Sequence, residues 1–235
     1  MKIPINIDYC DIYSAMQESL ITKEELFSKF RLGFHTLSSY VQAMYDPEVT
    51  KNLEFSAVRD SLSDGQTASK LWVVNEVSKF IGINEKSICV FGGWVGLLCR
   101  LFIDFVGTKS IANVEIDGTL ELVNQYVMSG HRDKFRFIHS DMYEFPYDDQ
   151  QFDVYVNTSG EHISSLKEWI EMIPSGKIVC IQSNDYFSHP QHISCVNNVG
   201  ELENLTRSAA NVKDVVYRGT LELPIYNRFM VIALT

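Results

Sequence analysis

A glutamate and a histidine stand together at positions 161 and 162, shortly after an apolar run that predicts a strand. A histidine titrates near neutral pH, so His162 can remove a proton from a reacting group, and the Glu161 carboxylate can orient the imidazole. The alternative is that Glu161 begins a helix, where the helix dipole favours an acid, and that His162 only caps the strand. Of the side chains in this sequence, this pair is the best suited to acid–base chemistry.

Two further histidines, His189 and His192, lie in a polar and aromatic loop after a later apolar run. Parallel strands carry their chemistry at the carboxyl edge of a sheet, so we expect these side chains near His162. Histidines three residues apart can bind a metal with a third ligand from elsewhere. Because the spacing is loose, we expect a role in substrate binding or structure, and no metal.

Glycines follow another apolar run, residues 88–91, at Gly92, Gly93 and Gly96, with Trp94 between them. Glycine permits turns that a Cβ would obstruct, and the apolar residues after Gly96 predict a helix. A strand, a glycine turn and a helix place a nucleotide-like ligand against the backbone at the carboxyl end of a parallel sheet. The Trp94 indole must point outward, either onto the N-terminal helices or into the pocket, and we favour the pocket.

An acid ends the next predicted strand, at Glu115. A carboxylate at this point can accept hydrogen bonds from both hydroxyls of a ribose, as in dinucleotide sites. Asp117 is the rival, but it lies two residues further on, and we expect it to cap the next helix.

The elements that must position these residues alternate along the chain. Residues 22–25 fit a capping box, and apolar residues at helical spacing then predict a helix that ends before Asp46. This helix covers the core or forms a lid over the pocket. A second helix is predicted over residues 66–80. Strands are predicted at 86–91, 111–115, 135–138, 153–156 and 177–182, with two more between 215 and 234.

From about residue 65 to 235 the sequence resembles the class I S-adenosylmethionine-dependent methyltransferases. The resemblance rests on the order of the glycine loop, Glu115, Asp141 and the polar cluster after the fourth strand. The chain departs from that family at Val90, where an acid is usual, and at Trp94, where a glycine is usual. The Gly-Gly-Trp-x-Gly form is similar to that of uncharacterised methyltransferase-like proteins of phages and bacteria.

The resemblance implies a seven-stranded, doubly wound, Rossmann-like α/β sheet over residues 81–235, with residues 1–80 as a helical N-terminal cover. It also implies an enzyme that uses S-adenosyl-L-methionine and transfers its methyl group to an oxygen or nitrogen acceptor. The implied cofactor-binding residues are Gly92, Gly93, Trp94, Gly96, Glu115, Asp141, Met142, Lys70 and Gln66.

Within this set, Asp141 would face the adenine amino group and Met142 would supply a backbone amide to the ring. Gln66 and Lys70 precede the glycine loop, in a segment that often closes over the methionine end of the cofactor, and a cationic Lys70 would favour its carboxylate. The alternative is that Lys70 is a solvated lysine in the first turn of a helix. Asn157 stands where amino-methylating relatives hold the target nitrogen, although their Pro-Pro-Tyr continuation is missing. His162, Glu161 and Asn157 are therefore the predicted catalytic residues.

Charge and composition limit the classes of partner and the cellular compartment that we expect for this protein. The net charge of −10 does not favour nucleic acid as a partner, since phosphate-binding surfaces cluster Lys and Arg. No apolar run reaches the length of a membrane span, and the five cysteines form no Cys-x-x-Cys pair, so we expect a cytoplasmic protein with buried thiols. The acceptor, small molecule or macromolecule, and the oligomeric state stay open.

Two other functions compete with methyl transfer. The chain could bind S-adenosylmethionine as a sensor or scavenging protein without methylating anything. It could also be a structural module that has lost the cofactor, a possibility that Val90 and Trp94 keep open.

Overall fold

The computed structural model describes residues 33–80, 82–148 and 152–235. The predicted capping box at residues 22–25 and the first part of the predicted N-terminal helix lie outside these ranges. Within them, no helix is long and apolar enough to cross a membrane.

Seven strands form one sheet, which confirms the predicted seven-stranded α/β fold. The strands lie in the order β3-β2-β1-β4-β5-β7-β6. Strands β1 to β5 run parallel to one another, whereas β7 is antiparallel to both β5 and β6. Their bounds are Ser87–Phe91 (β1), Ser110–Glu115 (β2), Phe135–His139 (β3), Val154–Asn157 (β4), Ile178–Asn184 (β5), Asp214–Glu222 (β6) and Asn227–Leu234 (β7).

Eight α-helices accompany the sheet in the described part of the chain. Their bounds are Gly33–Met44 (α1), Pro47–Thr50 (α2), Phe55–Ser61 (α3), Asp64–Val77 (α4), Leu97–Val106 (α5), Glu121–Val127 (α6), Leu166–Glu171 (α7) and Val199–Arg207 (α8). The short helix α2 was not expected; Pro47 stands at its first position and the Asp46 side chain accepts a hydrogen bond from Glu48 N–H.

The core lies on both faces of the sheet, because successive side chains of a strand point to opposite faces. In β1, Ile88 and Val90 belong to the apolar layer that includes residues of α1, α4 and α5. Cys89 and Phe91 belong to the opposite layer, around Trp169 of α7. These four side chains are fully buried, as an apolar run predicts for a central parallel strand.

The described cysteines are free thiols. Cys89, Cys99 and Cys180 are fully buried, as expected. Burial raises the pKa of each of these three thiols, so they stay protonated and unreactive. Cys195 is only partly buried.

Candidate functional site

A cleft of about 800 Å³ opens at the carboxyl ends of the parallel strands. The turns after β1, β2, β3, β4 and β5 all reach this edge, and α4 closes one side of it. The cleft is lined by Gln66, Lys70, Gly92, Gly93, Trp94, Val114, Glu115, Ile116, Asp117, Leu120, Ser140, Asp141, Met142, Tyr143, Thr158, Ser159, His162, Ile163, Ser164, Gln191, Ile193 and Arg228.

The loop after β1 takes left-handed backbone angles, with φ values of 62° at Gly92, 51° at Trp94 and 83° at Gly96. Trp94 is the only non-glycine residue with positive φ in the described chain. This is the backbone conformation that glycine adopts without cost, which accounts for the glycine that the resembled family has here. The Trp94 side chain is half-buried, packs against the adjacent apolar layer and lines the cleft.

Two buried asparagines hold the loop in this shape. Asn113 of β2 accepts a hydrogen bond from Gly93 N–H at 3.1 Å and donates to Asn124 Oδ1 at 2.9 Å. Both asparagines also donate to the Trp94 carbonyl, at 3.2 Å and 2.8 Å. A Cβ at Gly93 would collide with the Asn113 amide, and one at Gly96 would collide with Asn124. Glycine is therefore required at both positions for close packing.

Glu115 lies at the end of β2 and borders the cleft. Its Oε2 accepts from Trp94 N–H at 3.0 Å, and its Oε1 accepts from Ile116 N–H at 3.0 Å. Burial raises the pKa of this carboxyl, and the backbone amides oppose that shift. Asp117 accepts hydrogen bonds from Thr119 and caps a helical turn, as expected, although it also borders the cleft.

Asp141 and Met142 follow β3 and face the same cleft. Asp141 Oδ1 accepts from Tyr143 N–H at 2.8 Å, which fixes the carboxylate at the start of the turn. The Tyr143 hydroxyl in turn donates to Ser165 O at 3.1 Å and accepts from Ser165 N–H at 3.0 Å. This turn is therefore tied to the start of α7.

Lys70 and Gln66 reach the cleft from one face of α4. Lys70 Nζ donates to Gln66 Oε1 at 2.6 Å, and Lys70 is only 6% exposed. Burial, assisted by the Arg228 guanidinium, lowers the pKa of Lys70 to about 7. Near neutral pH this amine is therefore poised between its charged and neutral forms.

A buried ion pair lies below the end of β4. Glu161 Oε1 accepts from Arg228 Nη1 at 2.7 Å and from Asn184 Nδ2 at 2.7 Å. Glu161 is 2% exposed and Arg228 is 3% exposed, but Arg228 still reaches the cleft wall. Arg228 Nη1 also donates to Thr158 O at 3.2 Å, so the pair holds the turn after β4.

The predicted catalytic residues occupy different positions. His162 is exposed and lines the cleft, and its Nδ1 lies 3.1 Å from Gln191 O. Glu161 makes no hydrogen bond to His162 in the described structure. Asn157 is fully buried; its Oδ1 accepts from Ser159 N–H at 2.8 Å, and its side chain does not border the cleft.

The three histidines of this edge do come together. The ring centroids of His162 and His192 are 4.7 Å apart, and those of His189 and His192 are 4.5 Å apart. Of the predicted cofactor-binding residues, all line the cleft except Gly96, which begins α5 instead.

Sequence patterns do not single out Arg228, Asn113 or Asn124. Asn113 interrupts an apolar strand, and a polar residue inside such a run is a signal that could have been used. Arg228 is the second residue of the last strand, where an arginine has no distinguishing local pattern.

No protein-family model and no curated protein sequence matches the chain. Solved structures do match its fold. Magnesium protoporphyrin IX methyltransferase from Synechocystis PCC 6803 with bound SAM has a TM-score of 0.60 at 9% identity, over 92% of this chain and 99% of that one.

Phosphoethanolamine N-methyltransferase 2 from Haemonchus contortus, in complex with phosphomonomethylethanolamine and S-adenosylhomocysteine, has a TM-score of 0.59 at 11% identity, over 73% of this chain. The match covers 53% of that enzyme, or about half its length. The [4+2]-cyclase SpnF also matches, with a TM-score of 0.59 at 11% identity, over 72% of this chain and 82% of that one.

At these identities the likeness concerns the fold alone. The chain has the Rossmann-like fold of the class I S-adenosylmethionine-dependent methyltransferases.

Proposed function

We propose that this protein binds S-adenosylmethionine and transfers its methyl group to an oxygen or nitrogen of an acceptor. The observation that carries the proposal is the cleft itself. The glycine loop, the Glu115 carboxylate and the Asp141 carboxylate end three adjacent parallel strands and border one cavity. Structures of the same fold hold S-adenosylmethionine or S-adenosylhomocysteine.

The cofactor would lie across the ends of β1, β2 and β3. The Glu115 carboxylate accepts from the backbone amides of Trp94 and Ile116, and a carboxylate has about four acceptor sites, so it keeps capacity for a ribose. Asp141 and the Met142 amide would receive the adenine. The methionine carboxylate would reach Lys70 and Gln66 on α4.

The acceptor would approach from the ends of β4 and β5, where Thr158, His162 and Gln191 line the cleft. In-line attack on the sulfonium methyl needs chiefly alignment of the acceptor with the cofactor. We propose that His162 acts at the acceptor, while Glu161 and Asn157 act as positioning residues that hold the turn between them. The buried free thiols fit a reducing compartment such as the cytoplasm.

Two measurements test this function. Calorimetry of the full chain should show binding of both S-adenosylmethionine and S-adenosylhomocysteine. Incubation with methyl-labelled S-adenosylmethionine and extracts of RNA, protein and metabolites should then place label in one class of product, detected by mass spectrometry.

Each outcome has a separate meaning. Absence of binding to either ligand contradicts the proposal. Binding without any labelled product would support a sensor or scavenging protein instead, and the cyclase match shows that the fold is not restricted to enzymes named as methyltransferases.

A further inference from the structure

Three side chains beside the acceptor end of the cleft converge without being joined to one another by hydrogen bonds. Glu161, His162 and His192 each offer one atom able to ligate a metal, and these atoms all lie within 4.8 Å of one another. A catalytic zinc site commonly has two histidines and one glutamate as its protein ligands. The residue types and their separation therefore suit a small cation between them.

One oxygen of the Glu161 carboxylate is available to bind a cation. Its Oε1 is taken by Arg228 and Asn184, but its Oε2 is buried and accepts no hydrogen bond within the described chain. Leaving a buried acceptor unsatisfied is unfavourable, and a bound ion or water is the usual explanation for one. Arg228 therefore neutralises one side of the carboxylate and leaves the other side available.

Backbone carbonyls fix both imidazoles. Nδ1 of His162 lies 3.1 Å from Gln191 O, and Nδ1 of His192 lies 2.8 Å from Tyr186 O. A carbonyl only accepts, so each Nδ1 carries the proton and each Nε2 keeps its lone pair. Metal-ligating histidines are held in this way, with the second ring nitrogen bonded to a carbonyl or carboxylate.

Two neighbouring side chains, His189 and Cys195, do not belong to the group of three ligands. Nδ1 of His189 accepts a hydrogen bond from Gln191 N–H at 3.3 Å, and His189 does not belong to the converging group. The Cys195 thiol contacts Asn184 Oδ1 at 3.3 Å and lies 3.6 Å from His192 Nδ1, and it is not one of the three converging ligands. His189 therefore provides a matched control, a histidine in the same loop with no ligand role.

We propose that Glu161, His162 and His192 bind one divalent transition-metal ion. Imidazole ligands suit zinc, iron, cobalt and nickel better than they suit magnesium or calcium. Three protein ligands leave a position open, and because His162 borders the cleft, that position would face it.

The role of the ion rests on the proposed methyl transfer. An acceptor hydroxyl bound at the open position becomes more acidic and loses its proton to solvent. Its oxygen then forms a bond to the methyl carbon as the carbon–sulfur bond breaks, and the sulfur leaves with the electron pair as a thioether. In this scheme His162 is a ligand, not the proton acceptor that the sequence predicted, and the acceptor is a hydroxyl.

Cobalt(II) is the probe of choice, since its visible absorption reports the ligands. The full chain, stripped with a chelator, should bind one equivalent of Co²⁺ with a visible band and without the near-ultraviolet band of a thiolate ligand. His162→Ala and His192→Ala should each weaken Co²⁺ and Zn²⁺ by about 100-fold or more, whereas His189→Ala should match the parent. Circular dichroism should show that all variants are folded. If His192→Ala does not fold, His162→Ala still tests the site, because His162 is exposed.

Three results would overturn the proposal: no stoichiometric binding at micromolar cobalt, equal binding by the parent and His162→Ala, or a thiolate band. Calorimetry with S-adenosylhomocysteine on the same chelated samples separates the two proposals. Ligand binding without metal binding removes only the metal site, whereas absence of ligand binding removes the proposed function.

Discussion

Different interactions stabilise the two ends of the cleft. The cofactor end lies at the ends of β1, β2 and β3, and the acceptor end lies at the ends of β4 and β5. At the cofactor end, the side chains that fix the loops are bound to nearby backbone amides and carbonyls, as Asn113 is to Gly93 and Asp141 is to Tyr143. At the acceptor end, the turn after β4 rests on the buried ion pair between Glu161 and Arg228. Hydrogen bonds to nearby backbone groups therefore stabilise the cofactor end, whereas a pair of opposite charges stabilises the acceptor end.

This difference predicts where substitutions do most harm. Removing one partner of a buried ion pair leaves an uncompensated charge, whereas removing a neutral amide leaves a few unsatisfied hydrogen bonds. The acceptor end should be the more fragile of the two.

The largest effect is expected for Arg228→Met, which leaves Glu161 buried without its guanidinium partner. It should lower the free energy of unfolding by about 3 to 5 kcal/mol in urea denaturation. Asn113→Ala, the matched change at the cofactor end, should cost about 1 to 3 kcal/mol. A larger loss for Asn113→Ala would reverse the comparison.

A double substitution sharpens this prediction. Glu161→Gln combined with Arg228→Met removes both charges, so it should be less destabilising than the sum of the two single changes. Additive losses would show that the two side chains do not interact across the turn.

Next in size is Glu115→Ala at the cofactor end. Loss of charge-assisted hydrogen bonds to the ribose should weaken S-adenosylmethionine and S-adenosylhomocysteine alike by about 2 to 3 kcal/mol, roughly 30- to 150-fold. Calorimetry measures both. Asp117→Ala is the control and should bind normally; the opposite pattern would move the ribose contact by two residues.

A ligand analogue separates ribose contact from loop support, because Glu115 also accepts from Trp94 N–H. An S-adenosylhomocysteine that lacks a ribose hydroxyl should bind the parent more weakly than the natural ligand. Glu115→Ala should not distinguish the two ligands. If it does, the carboxylate acts on the loop alone.

The affinity for the cofactor should depend on pH because of Lys70. Its pKa is lowered to about 7 by burial and by Arg228, and a bound carboxylate would raise it again. Binding at pH 8 should therefore take up nearly one proton, and affinity should fall by up to about tenfold per pH unit above 7. Lys70→Met should abolish the uptake, as measured by calorimetry in buffers of different ionisation enthalpy.

The same shift affects stability in a defined direction. The folded form of Lys70 binds fewer protons than the unfolded form between pH 7 and its ordinary pKa of 10.5, so its contribution to stability rises with pH across that window. The parent should gain stability relative to Lys70→Met as pH rises. A constant difference would indicate that Lys70 keeps an ordinary pKa.

The smallest effect concerns Trp94, whose φ is 51°. Trp94→Gly and Trp94→Ala both remove the indole, but only alanine keeps the cost of a left-handed backbone. The glycine variant should therefore be more stable than the alanine variant by about 1 kcal/mol in denaturant unfolding. Equal stabilities would mean that the loop relaxes when the indole is removed.

The sequence predicted the cofactor end better than the acceptor end because its signals are local. Apolar runs give the strands, and the glycines and Glu115 follow those strands directly. The seven-stranded sheet was predicted and is confirmed by the strand order. The roles of Glu115 and Asp141 stay predictions.

The acceptor end depends on contacts between distant parts of the chain. Glu161 and Arg228 are 67 residues apart, whereas adjacency in the sequence favours a pairing of Glu161 with His162. Lys70 is another example: its place in the first turns of a helix suited an exposed lysine equally well, and only the packed structure shows that it is buried. Long-range pairing is information that a periodic pattern does not contain.

The buried cysteines give the protein internal reporters of its own motions. Cys89 belongs to one apolar layer, whereas Cys99 and Cys180 belong to the other. A thiol reagent reaches such side chains only when the surrounding structure opens, so labelling rates measure opening events rather than the static structure. The two layers can therefore be followed separately, and cooperative opening would label all three thiols at the same rate.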